Sequence, residues 1–234
     1  MEGRPRLVAQ SGCGRWLKSR LSTAFRAIFC FYTGAVSLPP NELVALLIAV
    51  SFAAGLNTYA TVATLGLLGR FHWVALPASL HMITGWPIIT AALVLYGIEF
   101  FADKIPTFDL LWNALHTFIR VPVAALLAYQ ATSSLSPGEQ MAATLAGGLI
   151  ALAAHGGKTA ARAVVTPSPE PFSNIALSLG EDALAVFLTW LATWKPWIAA
   201  TIAGVLVVLV VLMVRWVWRA LAALFRGAER TLEA

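Results

Sequence analysis

Nine polar residues in otherwise apolar stretches are the best candidates for chemistry in this sequence. A charge at the centre of a bilayer costs roughly 2.5–3.5 kcal/mol on insertion scales, so such groups must meet opposite charges or water. Basic groups of this kind can attract an anion, and carboxylates can balance them or carry protons. The residues are Asn57, Glu99, Asp103, Arg120, His155, Lys158, Arg162, Glu181 and Asp182. We predict that they form one polar cluster.

Arg120 is the most costly of these charges. It lies about ten residues into an apolar stretch from Asp109 to Thr132, or ~15 Å along a helix, which places it near mid-membrane. Pro122 is expected to kink the helix close to it. Buried charges pair, and the predicted partner of Arg120 is Glu181 or Asp182.

The stretch from Met141 to Arg162 combines a membrane span with a basic end. It begins as an uncharged apolar helix and finishes with three basic groups in its last turns. Glu99 and Asp103 are four residues apart and share one helix face. We therefore expect Lys158 or Arg162 to pair with Glu99 or Asp103. Such pairs could serve only to fix the register of the helices, which is the structural alternative to a functional site.

Known catalytic and cofactor motifs do not match this chain. Gly157-Lys158-Thr159 resembles the end of a phosphate-binding loop, but Leu152 stands where the leading glycine should be and a helix precedes it. Cys13 and Cys30 have no partner at metal-ligand spacing. The sequence thus predicts no metal and no cofactor, and favours a protein that is not an enzyme. The enzymatic alternative is an intramembrane reaction with His155 as the base.

The composition is that of a membrane protein. Of the 234 residues, 59% are hydrophobic and only 12% are charged, and the mean hydropathy is +0.77. The net charge of +5 gathers at the two termini beside apolar stretches. That distribution favours anionic lipid as the partner of the termini and argues against nucleic acid.

The hydropathy pattern predicts an all-α, polytopic protein with about six transmembrane helices. Residues 1–40 form a basic interfacial arm or, alternatively, a cleaved signal peptide. Residues 41–214 form the six-helix membrane domain, and residues 215–234 a basic amphipathic tail. The two halves of the domain have similar helix lengths and similarly placed glycines, which suggests a 3+3 inverted repeat.

The first predicted span, which starts after Glu42 and continues to Arg70, has polar residues at its middle. Gly55 is followed by Asn57, Thr58 and Tyr59. One interpretation is helix packing, in which Gly55 allows close approach and Asn57 bonds across helices. The other is a broken helix that lines a cavity.

The distribution of basic residues predicts the orientation. Of the 16 Lys and Arg residues, 13 would lie on one side of six spans and 2 on the other, with Arg120 inside a span. Because loops with an excess of Lys and Arg face the cytoplasm, both termini are predicted to be cytoplasmic.

Three motifs stand out along residues 42–211. They are Gly55-Leu56-Asn57-Thr58-Tyr59, Glu99 with Ala102-Asp103-Lys104-Ile105-Pro106 and Asp109, and a Pro-Ser-Pro and Ser173-Asn174 loop before Glu181-Asp182. These motifs resemble those of the bacterial membrane proteins known as domain of unknown function 4126. The resemblance implies a small polytopic protein of the bacterial inner membrane, with no established activity.

Three functions fit these observations. The first is a small transporter or lipid translocator for an anionic or phosphate-bearing substrate, with Arg120, Lys158 and Arg162 attracting the anion. The second is a structural or assembly factor whose charges only join helices. The third is the intramembrane enzyme. A water-accessible cavity lined by the cluster favours transport, and a closed, paired cluster favours the structural role.

Overall fold

The computed structural model describes residues 39–74, 76–103, 106–165 and 171–232, and over these ranges the chain is all-helical. The prediction of an all-α fold is confirmed, whereas most of the predicted arm at residues 1–40 lies outside the described residues. The helices are α1 (Pro40–Leu56), α2 (Thr58–Arg70), a short 3₁₀ helix (Ala78–Thr84), α3 (Trp86–Ala102), α4 (Pro106–Ala131), α5 (Pro137–Val165), α6 (Pro171–Trp194) and α7 (Pro196–Leu232).

Helix α1 is the centre of the bundle and packs against α4, α5, α6 and α7. Most of its residues are buried, and Ala45, Ala49 and Ala53 are completely so. A helix that is apolar on every side belongs inside a protein, and small side chains let its neighbours approach closely. The remaining helices are therefore arranged around α1.

The first predicted span is broken at Asn57, which separates α1 from α2. Asn57 is extended (φ −147°, ψ 103°), and its side-chain oxygen accepts a hydrogen bond from the amide of Ala60, 2.9 Å away. Asparagine is among the residues preferred at this position before a helix, because its side chain satisfies an unpaired amide. Thr58 bonds backward to the carbonyl of Ala54 at 2.7 Å. The break is thus encoded locally in the sequence.

The start of α5 carries the hydrogen bonds of a capping box, as the spacing of Ser136 and Glu139 indicates. The Ser136 hydroxyl and backbone amide donate to Glu139 at 2.7 and 3.1 Å, and the Glu139 amide lies 3.5 Å from the Ser136 hydroxyl. These bonds to the ionised form lower the pKa of the Glu139 carboxyl.

Two of the described helices contain segments long and apolar enough to cross a membrane, Ile175–Trp194 and Pro196–Arg219. The 3₁₀ helix and α3, which meet at 62°, would make a third if they form one span. These helices indicate a membrane-embedded protein. The count of six spans and the inverted repeat remain predictions.

Helix α7 continues without a break across the predicted domain boundary at residue 214. Its 37 residues extend over roughly 55 Å, whereas the hydrocarbon core of a bilayer is about 30 Å thick. Val208, Leu209 and Leu212 are each more than half exposed on its outer side. Residues 215–232 of the predicted basic tail are thus the last part of the same helix.

Gly55 should be intolerant of any side chain. A Cβ atom there would lie 2.4 Å from the Ala151 carbonyl oxygen and 2.7 Å from the Ala154 Cβ, so α1 and α5 would have to separate. We expect Gly55→Ala to lower the free energy of unfolding in detergent by about 1–3 kcal/mol, as overpacking usually does.

The matched control is Gly97→Ala in α3, where a Cβ meets nothing within 4 Å. Alanine at this helical position is expected to leave stability unchanged or to raise it slightly. Equal stability of the two variants would contradict the close packing of α1 on α5.

Candidate functional site

The structure brings all nine predicted residues together in the interior of the bundle. None of them, counted as a whole residue with its backbone, is more than 8% exposed. Asn57 comes from the break between α1 and α2, the acidic residues from α3 and α6, and the basic residues and His155 from α4 and α5. Five segments of the chain therefore meet at one polar cluster.

Arg120 pairs with Glu99, not with Glu181 or Asp182, so the predicted pairing was wrong. Its guanidinium contacts the Glu99 carboxylate, and both side chains are almost completely buried. The difference arises because α5 supplies two other cations that pair with Glu181. Arg120 instead pairs with the carboxylate at the end of α3.

Asp103 is shared by the two cations of α5, as predicted. Its Oδ2 atom accepts from Lys158 Nζ at 2.7 Å and from Arg162 at 3.0 Å, and Arg162 also donates to the Asp103 backbone carbonyl at 3.3 Å. Lys158 and Arg162 are four residues apart and so lie on one face of α5. Their shared carboxylate joins α5 to the end of α3.

Glu181 binds the same two cations from the side of α6. Its Oε2 atom lies 2.8 Å from Arg162 and 3.4 Å from Lys158 Nζ. Its side chain is 9% exposed, against 1% for those of Glu99 and Asp103. Glu181 is therefore the most accessible of the three paired carboxylates.

His155 is neutral in this arrangement. Its Nδ1 atom lies 2.8 Å from an Arg120 nitrogen, and a guanidinium can only donate, so Nδ1 is the acceptor. The proton is then on Nε2, which donates to the Thr117 hydroxyl at 2.8 Å. Because the Nδ1 lone pair that would accept a proton faces the Arg120 guanidinium, and Nε2 already carries its proton, this geometry does not support His155 as a catalytic base.

Asp182 differs from the other carboxylates because it pairs with an amide. Asn57 Nδ2 donates to Asp182 Oδ1 at 2.8 Å, which is the cross-helix bond predicted for Asn57. The Oδ2 atom is buried with no hydrogen-bond partner among the described residues. Within the same ranges no basic side chain reaches ion-pair distance of Asp182.

The charges of the cluster are unequal. Four carboxylates face three basic side chains, and a neutral His155 adds nothing. Counted with every carboxylate ionised, the described part of the cluster has one negative charge in excess, and Asp182 is the carboxylate that no basic side chain pairs with.

Some members of this environment were missed from the sequence. Thr117 precedes Arg120 by three residues, a spacing that places both on one face of α4. Tyr59, two residues after Asn57, lies with its hydroxyl 3.1 Å from His116 Nε2 and packs its ring edge-on against the imidazole. The helical spacing was a usable signal for Thr117 but not for Tyr59, because residues two apart do not share a helix face. The described residues contain no cluster of ligands that could hold a metal ion.

A family model described as "Domain of unknown function (DUF4126)" matches residues 44–216. The chain belongs to this family. The match covers α1 from its second turn to the middle of α7, including every residue of the polar cluster, and confirms the resemblance seen in the three motifs. No curated protein and no solved structure matches the chain. The DUF4126 domain is consistent with a membrane protein and brings no activity with it.

The pair of Arg120 and Glu99 gives a sharp test of the cluster in this DUF4126 protein. Arg120→Met leaves a buried carboxylate with only Lys158 nearby, 3.9 Å away, and we expect a loss of about 3–5 kcal/mol in the free energy of unfolding. The double variant with Glu99→Leu removes both charges and should recover most of that loss.

The free energy of unfolding of both variants is measured in detergent micelles. Arg70→Met is the control, since Arg70 is exposed and only stacks over the ring of Trp86. A double variant as unstable as Arg120→Met would contradict the pairing.

Proposed function

We propose that this protein is a multi-pass transporter of a small anion, in which a proton on a buried carboxylate opens the anion site. The substrate class is a carboxylate-, sulfate- or phosphate-bearing molecule, either free in water or as a lipid headgroup. The protein would lie in the bacterial inner membrane with six spans arranged as a 3+3 repeat. Both termini would be cytoplasmic and in contact with anionic lipid.

The observation that carries the proposal is the break in the first span at the polar cluster. Discontinuous helices in membranes are tolerated where they line a site, and many transporters bind substrate at such breaks. Asn57 ends α1, caps α2 and bonds Asp182 of the cluster. Three buried basic groups lie in the same cluster, and intramembrane charges of this kind are usually functional.

The charge arrangement supplies a mechanism. With Glu181 ionised, Lys158 and Arg162 are neutralised by Glu181 and Asp103 together. A proton on Glu181 removes one of these negative charges and leaves a positive excess beside Lys158 and Arg162. An anion then restores the balance, and arginine can bind a carboxylate, sulfate or phosphate through two parallel bonds. A proton and an anion would enter together, so that the proton offsets one of the negative charges that the anion brings into the buried site.

Sulfate binding tests this coupling, because sulfate keeps its charge over the pH range used. We expect sulfate to raise the thermal midpoint of the purified protein in mildly acidic but not in alkaline buffer. Ligand in hundredfold excess over Kd stabilises by about 2.7 kcal/mol. Glu181→Gln imitates the protonated carboxyl and should bind sulfate in both buffers.

Glu139→Gln is the matched control, because Glu139 is an exposed carboxylate that only caps α5. It should keep the pH dependence of the wild type. Inorganic phosphate and phosphatidylglycerol in micelles, tested in parallel, separate a free anion from a lipid headgroup. Uptake of labelled sulfate into vesicles under an inward proton gradient would establish transport. No anion-dependent stabilisation in either buffer would refute the proposal.

The alternative is a structural role, and one observation favours it. The paired part of the cluster is closed: the side chains of Glu99, Asp103 and Lys158 are at most 1% exposed. If vesicles show no anion uptake, and Glu99 and Arg120 can be replaced together by apolar residues without loss of stability, the ion pairs only join helices.

A further inference from the structure

A second candidate site lies on the outer side of Asp182, away from the paired charges. A groove of about 580 Å³ runs between α3 and α6, within the usual size range of ligand pockets. Its walls are mainly apolar and aromatic, and among the described residues that line it Asp182 is the one that carries a charge. The groove is distinct from the proposed anion site, which lies among Lys158, Arg162 and Glu181.

From this groove we infer that the protein binds a hydrophobic organic cation, one whose positive charge rests against Asp182. Asp182 carries the unbalanced negative charge of the cluster, and its Oδ2 atom has no hydrogen-bond partner in the described ranges. The residue is only 4% exposed, so it lies at the inner side of the groove. A single buried carboxylate with no described basic side chain at ion-pair distance is complementary to one positive charge.

The aromatic walls identify the kind of cation. Tyr96 and Phe100 form one pair on α3 with ring centroids 6.1 Å apart, and Phe187 and Trp190 form another on α6 at 6.0 Å. Aromatic faces attract weakly hydrated organic cations such as quaternary ammonium groups. A metal cation would need several oxygen ligands, and the groove supplies those of Asp182 and the Tyr96 hydroxyl.

The position of the groove indicates how the ligand arrives. It lies against α6, whose segment Ile175–Trp194 is long and apolar enough to cross a membrane. Phe187 and Trp190 are 46% and 40% exposed at its mouth. A ligand that enters from this side passes through hydrocarbon and must itself be apolar around its charge. This requirement excludes small hydrated cations and favours an amphiphile or an aryl-substituted cation.

Tetraphenylphosphonium and tetraphenylborate make a matched pair of probes, nearly equal in shape and opposite in charge. We expect equilibrium dialysis against the full chain in a neutral maltoside detergent to show saturable binding of tetraphenylphosphonium at one site per chain. Tetraphenylborate should not bind there. Asp182→Asn should weaken tetraphenylphosphonium binding at least tenfold, while its amide oxygen can still accept the bond from Asn57.

Two further variants keep the inference testable if Asp182→Asn does not fold. Phe187 and Trp190 lie on the exposed wall of the groove. Replacing either of them by leucine removes an aromatic face and should weaken tetraphenylphosphonium binding about threefold or more. Glu139→Gln should leave binding unchanged. Equal binding of the two probes, or unchanged binding in both wall variants, would overturn the inference. Because sulfate is absent from this assay, its outcome is separate from that of the anion site.

Discussion

Burial of three basic side chains in an apolar bundle is the constraint on which this structure depends. Each of them is neutralised by a carboxylate of another part of the chain, either at the end of α3 or on α6. The cost of leaving one of these cations unpaired would be several kcal/mol. This requirement fixes where α3, α4, α5 and α6 stand relative to one another. Asp103 and Glu181 matter most, since each contacts both cations of α5 and so joins α5 to a neighbouring helix.

The packing of small residues and the pairing of charges act at the same place. Gly55 lets α1 approach α5 at Ala151 and Ala154, and only two residues later Asn57 ends the helix and bonds Asp182. His155 follows Ala154 directly. A change in the spacing of α1 and α5 would therefore move the polar groups as well. In this way the apolar core and the polar cluster of the DUF4126 domain are mechanically coupled.

The cluster has a closed and an open side. On the closed side Arg120 contacts Glu99 and the neutral His155, and these buried side chains form a chain of bonds that ends at Thr117. On the other side Glu181 is partly accessible and Asp182 lines a groove with an unbalanced charge. In the proposed function, proton and ligand exchange take place on the side of α6. The enzymatic hypothesis loses its base, because both nitrogens of His155 are occupied.

Much of this protein follows from its sequence. Composition and hydropathy determine an all-helical, membrane-embedded chain, and the high cost of an isolated buried charge requires that nine polar residues meet. The local preference of asparagine before a helix encodes the break at Asn57, and the spacing of Ser136 and Glu139 encodes a cap. The break and the cap follow from neighbouring residues, and the helical fold and the meeting of the polar residues follow from the apolar solvent. Which acid meets which base was decided only by tertiary structure. The sequence analysis predicted Glu181 or Asp182 as the partner of Arg120, and the structure pairs it with Glu99, since the energy of an ion pair depends on distances between helices that periodicity does not encode.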